Sequence, residues 1–373
     1  MQKKNLFITI LVFIVCVLTI GLVLGVRNYE EKSTINSKTG TPKSDLAVNL
    51  AERTNLGYNN MPESRKINVT KVYDSMQKDS FFGMYMGIKN NQLIFSGSNG
   101  YSNASTGKKF NVSSMFNGGK YQDYLNDAIL IRLIEKGKIK ETEQLSRYIP
   151  TLKDYGDISV RQFLVNGSGL YVSKNRIKSD SGMTLDNTAY KKSTAKNLVS
   201  ADASIKVQLI ASVTQTSYRS AFKKLVIDHF GLMNTEVRNS TNQQESTDVV
   251  GYKYHKKNGL PDQSKREKQP VVLQGVNQLK ISVPDMLVTY QAISSQKYFS
   301  KKYNNLWREA LRNSNLAMIT TGNSREIKIM EGKQQIVIRS NFKKNTIIAV
   351  AENFPNTKMT TASLLKRLSQ ILD

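Results

Sequence analysis

Lys120 and Asp123 stand three residues apart at the start of the segment Tyr121 to Lys136. That spacing puts an amine and a carboxylate on one face of a helix. Two kinds of chemistry fit. A lysine whose pKa is lowered by burial can attack a carbonyl carbon. A lysine left charged pairs with the carboxylate and stabilises the helix by about 0.2–0.5 kcal/mol. So close a carboxylate raises the lysine pKa, which opposes nucleophilic use. Asp123 also complements the positive end of the helix, whereas Lys120 opposes it. The ion pair is therefore the expected arrangement. Other reactive side chains are scarce. Cys16 is the only cysteine and lies in an apolar run, so the rest of the chain has no disulfide and no thiolate nucleophile. His229 and His255 are far apart in sequence, which argues against a histidine-rich metal site. No metal and no cofactor is implied.

The elements that must position these residues are legible as patterns. "FFGMYMGIKNNQLIFSGSNGY" is two apolar runs around the turn Lys89 to Gln92, a β-hairpin. Tyr121 to Lys136 reads as a long helix with Leu125, Ile129 and Leu133 four apart, stopped by Gly137. "ISVRQFLVNGSGL" reads as a short helix ended by glycines, and "SIKVQLIASVTQ" and "SYRSAFKKLVIDHFGL" as two more. "ISVPDMLVTYQAI" opens with Ser282 and Asp285 at capping-box spacing. "REIKIM", "QQIVIRSN" and "NTIIAVAEN" read as strands before a last helix from about Thr360 to Leu372. Together these make one α+β unit.

The N-terminus is of another kind. Residues 1–4 carry two lysines, and 5–26 form an uncharged, apolar run. About 20 such residues suffice to cross a bilayer. Two lysines before the run and Arg27 after it favour a cytoplasmic N-terminus. A cleaved signal peptide would have a shorter apolar core and a small-x-small site. Val15 before Cys16 is too large for a lipid-attachment site. A retained transmembrane anchor is expected, followed by a polar extracellular stalk over 27–67 and a folded domain over 68–373.

Net charge is +25, from 54 Lys and Arg against 29 Asp and Glu. An anchored, cysteine-free, basic domain suits the outer face of a bacterial membrane, with a Gram-positive surface suspected. The polyanions there are lipids and phosphate-rich wall polymers, so nucleic acid is not an expected partner. The cluster Lys256, Lys257, Lys265, Arg266 and Lys268 is the candidate polyanion contact, against the plainer reading of a solvated basic surface.

Five segments, in order, resemble the serine β-lactamase and penicillin-binding-protein-like hydrolases, in particular the class C-like esterase and D-peptidase branch. They are "GYSNASTGKKF", "LIEKGKI" with "LSRYIP", "ISVRQFLVNGSGL", "HFGLMNTEV" and "VVGYKY". The resemblance covers about Ser80 to Asp373. It implies a β-lactamase/transpeptidase-like fold: an antiparallel sheet flanked by helices, with a helical subdomain. It also implies three motifs. Ser-x-x-Lys at the start of the long helix supplies nucleophile and base. Tyr-x-Asn supplies a proton shuttle, and Lys- or His-x-Gly lines the oxyanion side.

None stands where that family would place it. The serine position falls on Lys120 and the lysine position on Asp123. The tyrosine motif falls on Leu198-Val199-Ser200, and the nearest glycine to the third motif is Gly332, after Met330-Glu331. Ser75-Met76-Gln77-Lys78, Ser193-Thr194-Ala195-Lys196, Tyr101-Ser102-Asn103 and Lys38-Thr39-Gly40 spell the motifs in the wrong context. The expected protein is an envelope pseudoenzyme that binds wall components, an anionic polymer, a peptidoglycan fragment or a protein partner. Its cleft candidates are Lys120, Tyr121, Asn166, Ser168 and Gly332. The alternative is an active wall hydrolase or D-alanyl esterase using other residues.

The anchor has a direct test. The mature chain is expected to begin at or near Met1 and to stay with membranes in high salt. A mature N-terminus beyond residue 24, with protein in the medium, would contradict it.

Overall fold

Residues that alternate between two packed faces build the centre of this molecule. Strands β1 (Gly83–Lys89) and β2 (Gln92–Asn99) form the hairpin expected from their apolar runs. Asn90 and Asn91, both at positive φ, make its turn. A small sheet joins β3 (Met115–Asn117), β4 (Thr235–Val237) and β5 (Leu279–Ser282), with β5 in the middle. The C-terminal strands β6 (Ala317–Thr321), β7 (Ser324–Glu331), β8 (Gln334–Asn341) and β9 (Thr346–Glu352) complete a six-stranded sheet. Its order is β6-β7-β8-β9-β1-β2, antiparallel throughout. The computed structural model describes Leu50 and residues 56–173, 190–191, 198–238, 245–254, 261–267, 275, 277–295, 297–312, 316–354 and 358–372.

Helices cover both faces. On one, α1 (Glu63–Lys78) and the C-terminal helix (Thr361–Leu372) bury Val69, Val72, Met76, Leu364 and Leu368 against Tyr85 and Val350. On the other lies α2 (Tyr121–Glu135), with twelve of its fifteen residues buried. The four-residue apolar spacing implied a single buried stripe, but α2 is enclosed on all sides and is the axis of the larger core. It ends as Gly137 predicts. That residue adopts φ +68°, and the amides of Gly137 and Lys138 bond back to Ile134 and Leu133 at 2.9 Å each.

Three shorter helices matter for the site: α3 (Val160–Asn166), α4 (Asp202–Thr214) and α5 (Val283–Ser294). Ser159 and Gln162 form a reciprocal capping box on α3. Ser282 caps α5, but only half of the expected box forms. The Asp285 carboxylate turns away to accept from the Asn234 amide and the Thr235 hydroxyl, at 2.7 Å each.

Several expectations need correction. The folded domain begins earlier than residue 68. Leu56–Asn59 and Glu63–Lys78 are helical, and Met61 is already buried in the core behind the sheet. The polar composition of 56–67 reflects an amphipathic helix start rather than a stalk. Lys301–Arg312, for which the sequence patterns gave no element, is a helix that buries Leu306, Trp307, Ala310 and Leu311. Strand β6 was also unforeseen. Pro261–Arg266, which carries two of the candidate polyanion residues, pairs as a strand with Tyr252–Tyr254. No helix among the described residues is long and apolar enough to cross a membrane. The anchor expected over 5–26 lies outside the described residues.

Candidate functional site

The first two turns of α2 expose their polar side chains not to water but to neighbouring elements. Gln122, Asp123, Asn126 and Asp127 form one stripe along the helix. Gln122 Oε1 accepts from the amides of Gln278 and Leu279, each at 3.1 Å, which ties α2 to β5. The Tyr218 hydroxyl donates to Asn126 Oδ1 at 2.8 Å and accepts from Gln122 Nε2 at 3.1 Å. Burying these groups unpartnered would cost about 1–3 kcal/mol each.

The two acids meet a single base. Lys206 Nζ, on α4, lies 2.9 Å from Asp123 and 2.7 Å from Asp127. The side chains are 9 % exposed for Lys206 and 2 % for Asp127, so this is an interior ion cluster. Burial lowers the Lys206 pKa, but the Asp127 and Asp123 carboxylates outweigh it and hold the amine above its usual range. One ammonium between two carboxylates leaves an excess negative charge. Burial, only partly offset by Lys206 and aggravated by Asp123, pushes the Asp127 carboxyl up to about 7.

This arrangement corrects the expected pairing of Lys120 with Asp123. Asp123 faces α4 and takes Lys206, whereas Lys120 precedes the helix and is exposed. Tyr121, proposed to line a cleft, is fully buried instead. Its hydroxyl lies 3.1 Å from the Met286 carbonyl and 2.8 Å from Thr289 Oγ1, and its ring stacks on Tyr124. An aromatic at this position faces α5 because α2 is enclosed.

Ser168 is buried, and its amide and hydroxyl both donate to Asp202 Oδ1, the amide at 2.9 Å. It also accepts from the Leu170 amide, so the "NGSGL" turn is pinned to the first residue of α4. Asn166 is exposed at the end of α3. Leu198–Ser200 is a short strand paired with Tyr171–Ser173, and Ser200 Oγ accepts from the Asp202 amide at 3.2 Å. Neither a phenol nor a second amide stands at those positions.

Gly332 turns the β7–β8 hairpin at φ +61°. The preceding Glu331 reaches the start of α2: a Cβ at Gly119 would stand 3.2 Å from Glu331 Oε2. Burial raises the Glu331 pKa, Glu267 raises it further, and Lys120 and Lys280 oppose this. Lys280 is itself buried on β5, donates to Asn117 Oδ1, and has its pKa lowered by desolvation. Lys120 and the Gly332 turn are thus brought together, with a carboxylate at the junction. Of the polyanion candidates, Lys265 and Arg266 are exposed on the strand Pro261–Arg266. Lys265 already pairs with Asp262 at 3.1 Å. Lys256, Lys257 and Lys268 lie outside the described residues.

The sequence did carry a signal for the cluster that reading by motif missed. In "SIKVQLIASV" Lys206 is the lone charge of an apolar helix, and such a charge requires a buried partner. Asp123 and Asp127, four apart on an apolar helix, are its natural complement.

No family model matches the chain. A curated relative, the teichoic acid D-alanine hydrolase of Staphylococcus aureus, is 26 % identical over 185 residues, which is 47 % of this chain and 45 % of that one. The matched part thus spans under half the length of that relative. The putative penicillin-binding protein PbpX of Bacillus subtilis is 21 % identical over 289 residues, 74 % of this chain and 67 % of that one. The crystal structure of FmtA from Staphylococcus aureus matches with a TM-score of 0.62 at 20 % identity, covering 84 % of this chain and 90 % of that one. The fold is that of the penicillin-binding proteins and class C β-lactamases. The start of α2 in this chain holds Lys120 and Asp123.

The cluster is testable by stability. Lys206→Met should destabilise the protein by about 3–5 kcal/mol, because it strands two buried carboxylates. The triple variant K206M/D123N/D127N should recover most of that loss in urea unfolding. Asp127 titrates higher when folded than unfolded, so its contribution favours folding at low pH. That contribution should be lost as pH rises from about 4, its unfolded value, to about 7. Asp127→Asn should flatten the pH dependence across that window.

Proposed function

We propose that this protein acts in the bacterial cell wall as a serine-hydrolase-fold binding protein without serine-hydrolase turnover. The observation that carries the reading is the Asp123–Lys206–Asp127 cluster, in which Asp123, at the position expected for the base, is already paired with Lys206. Acyl transfer by this fold needs an activated hydroxyl at the start of α2, and position 120 offers an ammonium. Loss of the nucleophile alone costs about 10⁶ in rate in a comparable hydrolase. The positive charge is kept but moved from α2 to α4, where two carboxylates neutralise it. It therefore has no capacity to take a proton from a serine.

The relatives support a wall role. One is named for hydrolysis of D-alanine on teichoic acid, the other as a putative penicillin-binding protein. Teichoic-acid-like polymers are polyphosphates, and a chain with formal charge +25 is suited to them. We place the protein at the outer face of the cell membrane, held by residues 5–26, with an anionic wall polymer as its ligand.

Two measurements test this. The full-length protein is expected to give no covalent adduct with a fluorescent β-lactam or fluorophosphonate. A stoichiometric adduct, abolished by replacing one serine, would establish an active hydrolase instead. Binding to a teichoic-acid chain is expected to weaken steeply between low and moderate salt, since exposed charges are screened over about 8 Å at physiological ionic strength. Charge reversal at Lys256, Lys257, Lys265, Arg266 and Lys268 should weaken it more than reversal of five scattered lysines. Equal losses would mean a diffuse contact, and no loss in either would remove the polyanion ligand.

A further inference from the structure

Behind the main sheet, on the side away from α2, a cavity of about 410 Å³ opens between α1 and the edge strand β2. Its walls are rings and hydroxyls: Tyr58, Tyr73, Tyr85, Phe95, Thr70 and Ser96. Among the described residues no charged side chain lines it, although the chain carries 54 lysines and arginines. The volume lies in the range of small-molecule sites, roughly 300–1,000 Å³.

One polar group on β1 opens onto it. Tyr85, on β1, is 1 % exposed. Its ring meets Phe95 edge-on, with centroids 5.9 Å apart. Its hydroxyl has no hydrogen-bond partner among the described residues. The phenol lies across the backbone of β2 because its cross-strand partner is Gly97. A Cβ there would stand 2.5 Å from the Tyr85 hydroxyl. A glycine thus makes room for a phenol whose polar end bonds none of the described residues. Burial holds that hydroxyl well above the usual phenol range, with Tyr73 and Tyr58 adding to the shift, so it stays a neutral donor. Tyr73, from α1, is 36 % exposed at the mouth, where its hydroxyl accepts from Gln77 Nε2 at 3.1 Å. The cation nearest the Tyr58 ring, Lys66, lies 5.7 Å from its centroid and is ion-paired with Glu63 at 2.7 Å.

We infer that this cavity is a binding site for a neutral sugar ring. The chemistry selects the class. The described residues of the walls include neither a cation nor a carboxylate with which to hold a phosphate or a metal ion. Buried hydroxyls disfavour a purely apolar ligand, which would leave Tyr85 unpaired. A pyranose offers both complements: C–H faces for the electron-rich faces of tyrosine and phenylalanine, and hydroxyls for Tyr85 and Ser96. The site is separate from the α2 start and independent of whether that start is catalytic.

The test is calorimetric titration of the full-length chain, in a sugar-free detergent, with two uncharged trisaccharides: the N-acetylglucosamine trimer and maltotriose. Saturable binding of at least one is expected, unchanged between low and about 0.5 M salt because no charge lines the site. Tyr85→Phe should weaken it about fivefold or more, the loss of one hydrogen bond. Its melting temperature should stay level or rise, because the deleted hydroxyl bonds none of the described residues in the free protein. Tyr73→Ala, at a half-exposed position, should weaken binding without affecting the fold. The inference is overturned if neither sugar binds, if binding is undiminished in both variants, or if it disappears with salt. Which trisaccharide binds tells wall glycan chemistry from that of a glucose polymer.

Discussion

Polar groups buried on an enclosed helix are costly unless they find partners, and α2 carries four polar side chains in its first two turns. Three neighbouring elements supply partners: β5 and Tyr218 for Gln122, Tyr218 for Asn126 Oδ1, and Lys206 on α4 for both Asp123 and Asp127. The matching fixes the rotation of α2 and its height against α4, so it also fixes the neighbouring "NGSGL" turn through Asp202. In this chain those turns hold a structural network.

Interior ion clusters of this kind are not a cheap source of stability. Apolar replacements of similar volume are often neutral or better, whereas removing one partner is costly. What such a cluster supplies is a single allowed arrangement. With one ammonium between two carboxylates, α2 and α4 have one register in which no charge is stranded. The raised Asp127 pKa is the residue of that compromise, since two acids share one base.

The two faces of the sheet have diverged in character. On the α2 face, charge is drawn inward and neutralised, leaving Lys120 and Glu331 at the rim. On the α1 face, a strongly basic chain forms a cavity that no charged side chain among the described residues lines. The Tyr85–Gly97 pair across β1 and β2 is local to that face and owes nothing to α2.

The order of hairpin, long helix, glycine-ended short helix and terminal strands was set by local patterns, because each depends on neighbours within a few residues. Gly137 stops α2 and Ser159 caps α3 for reasons contained in those stretches. That Lys120 and Asp123 stand at the start of α2 was equally local. Which residue Asp123 would face was not local. Lys206 lies 83 residues away in sequence, and only packing of α4 on α2 brings its amine within 2.9 Å. For the same reason Tyr121 read as a cleft residue and is a core residue, and the helix Lys301–Arg312 was not foreseen, because only the core opposite it shows why Trp307 is buried. Sequence determined what each segment can form by itself. Tertiary structure decided which polar groups are buried, since burial is a property of what lies opposite and not of the residue.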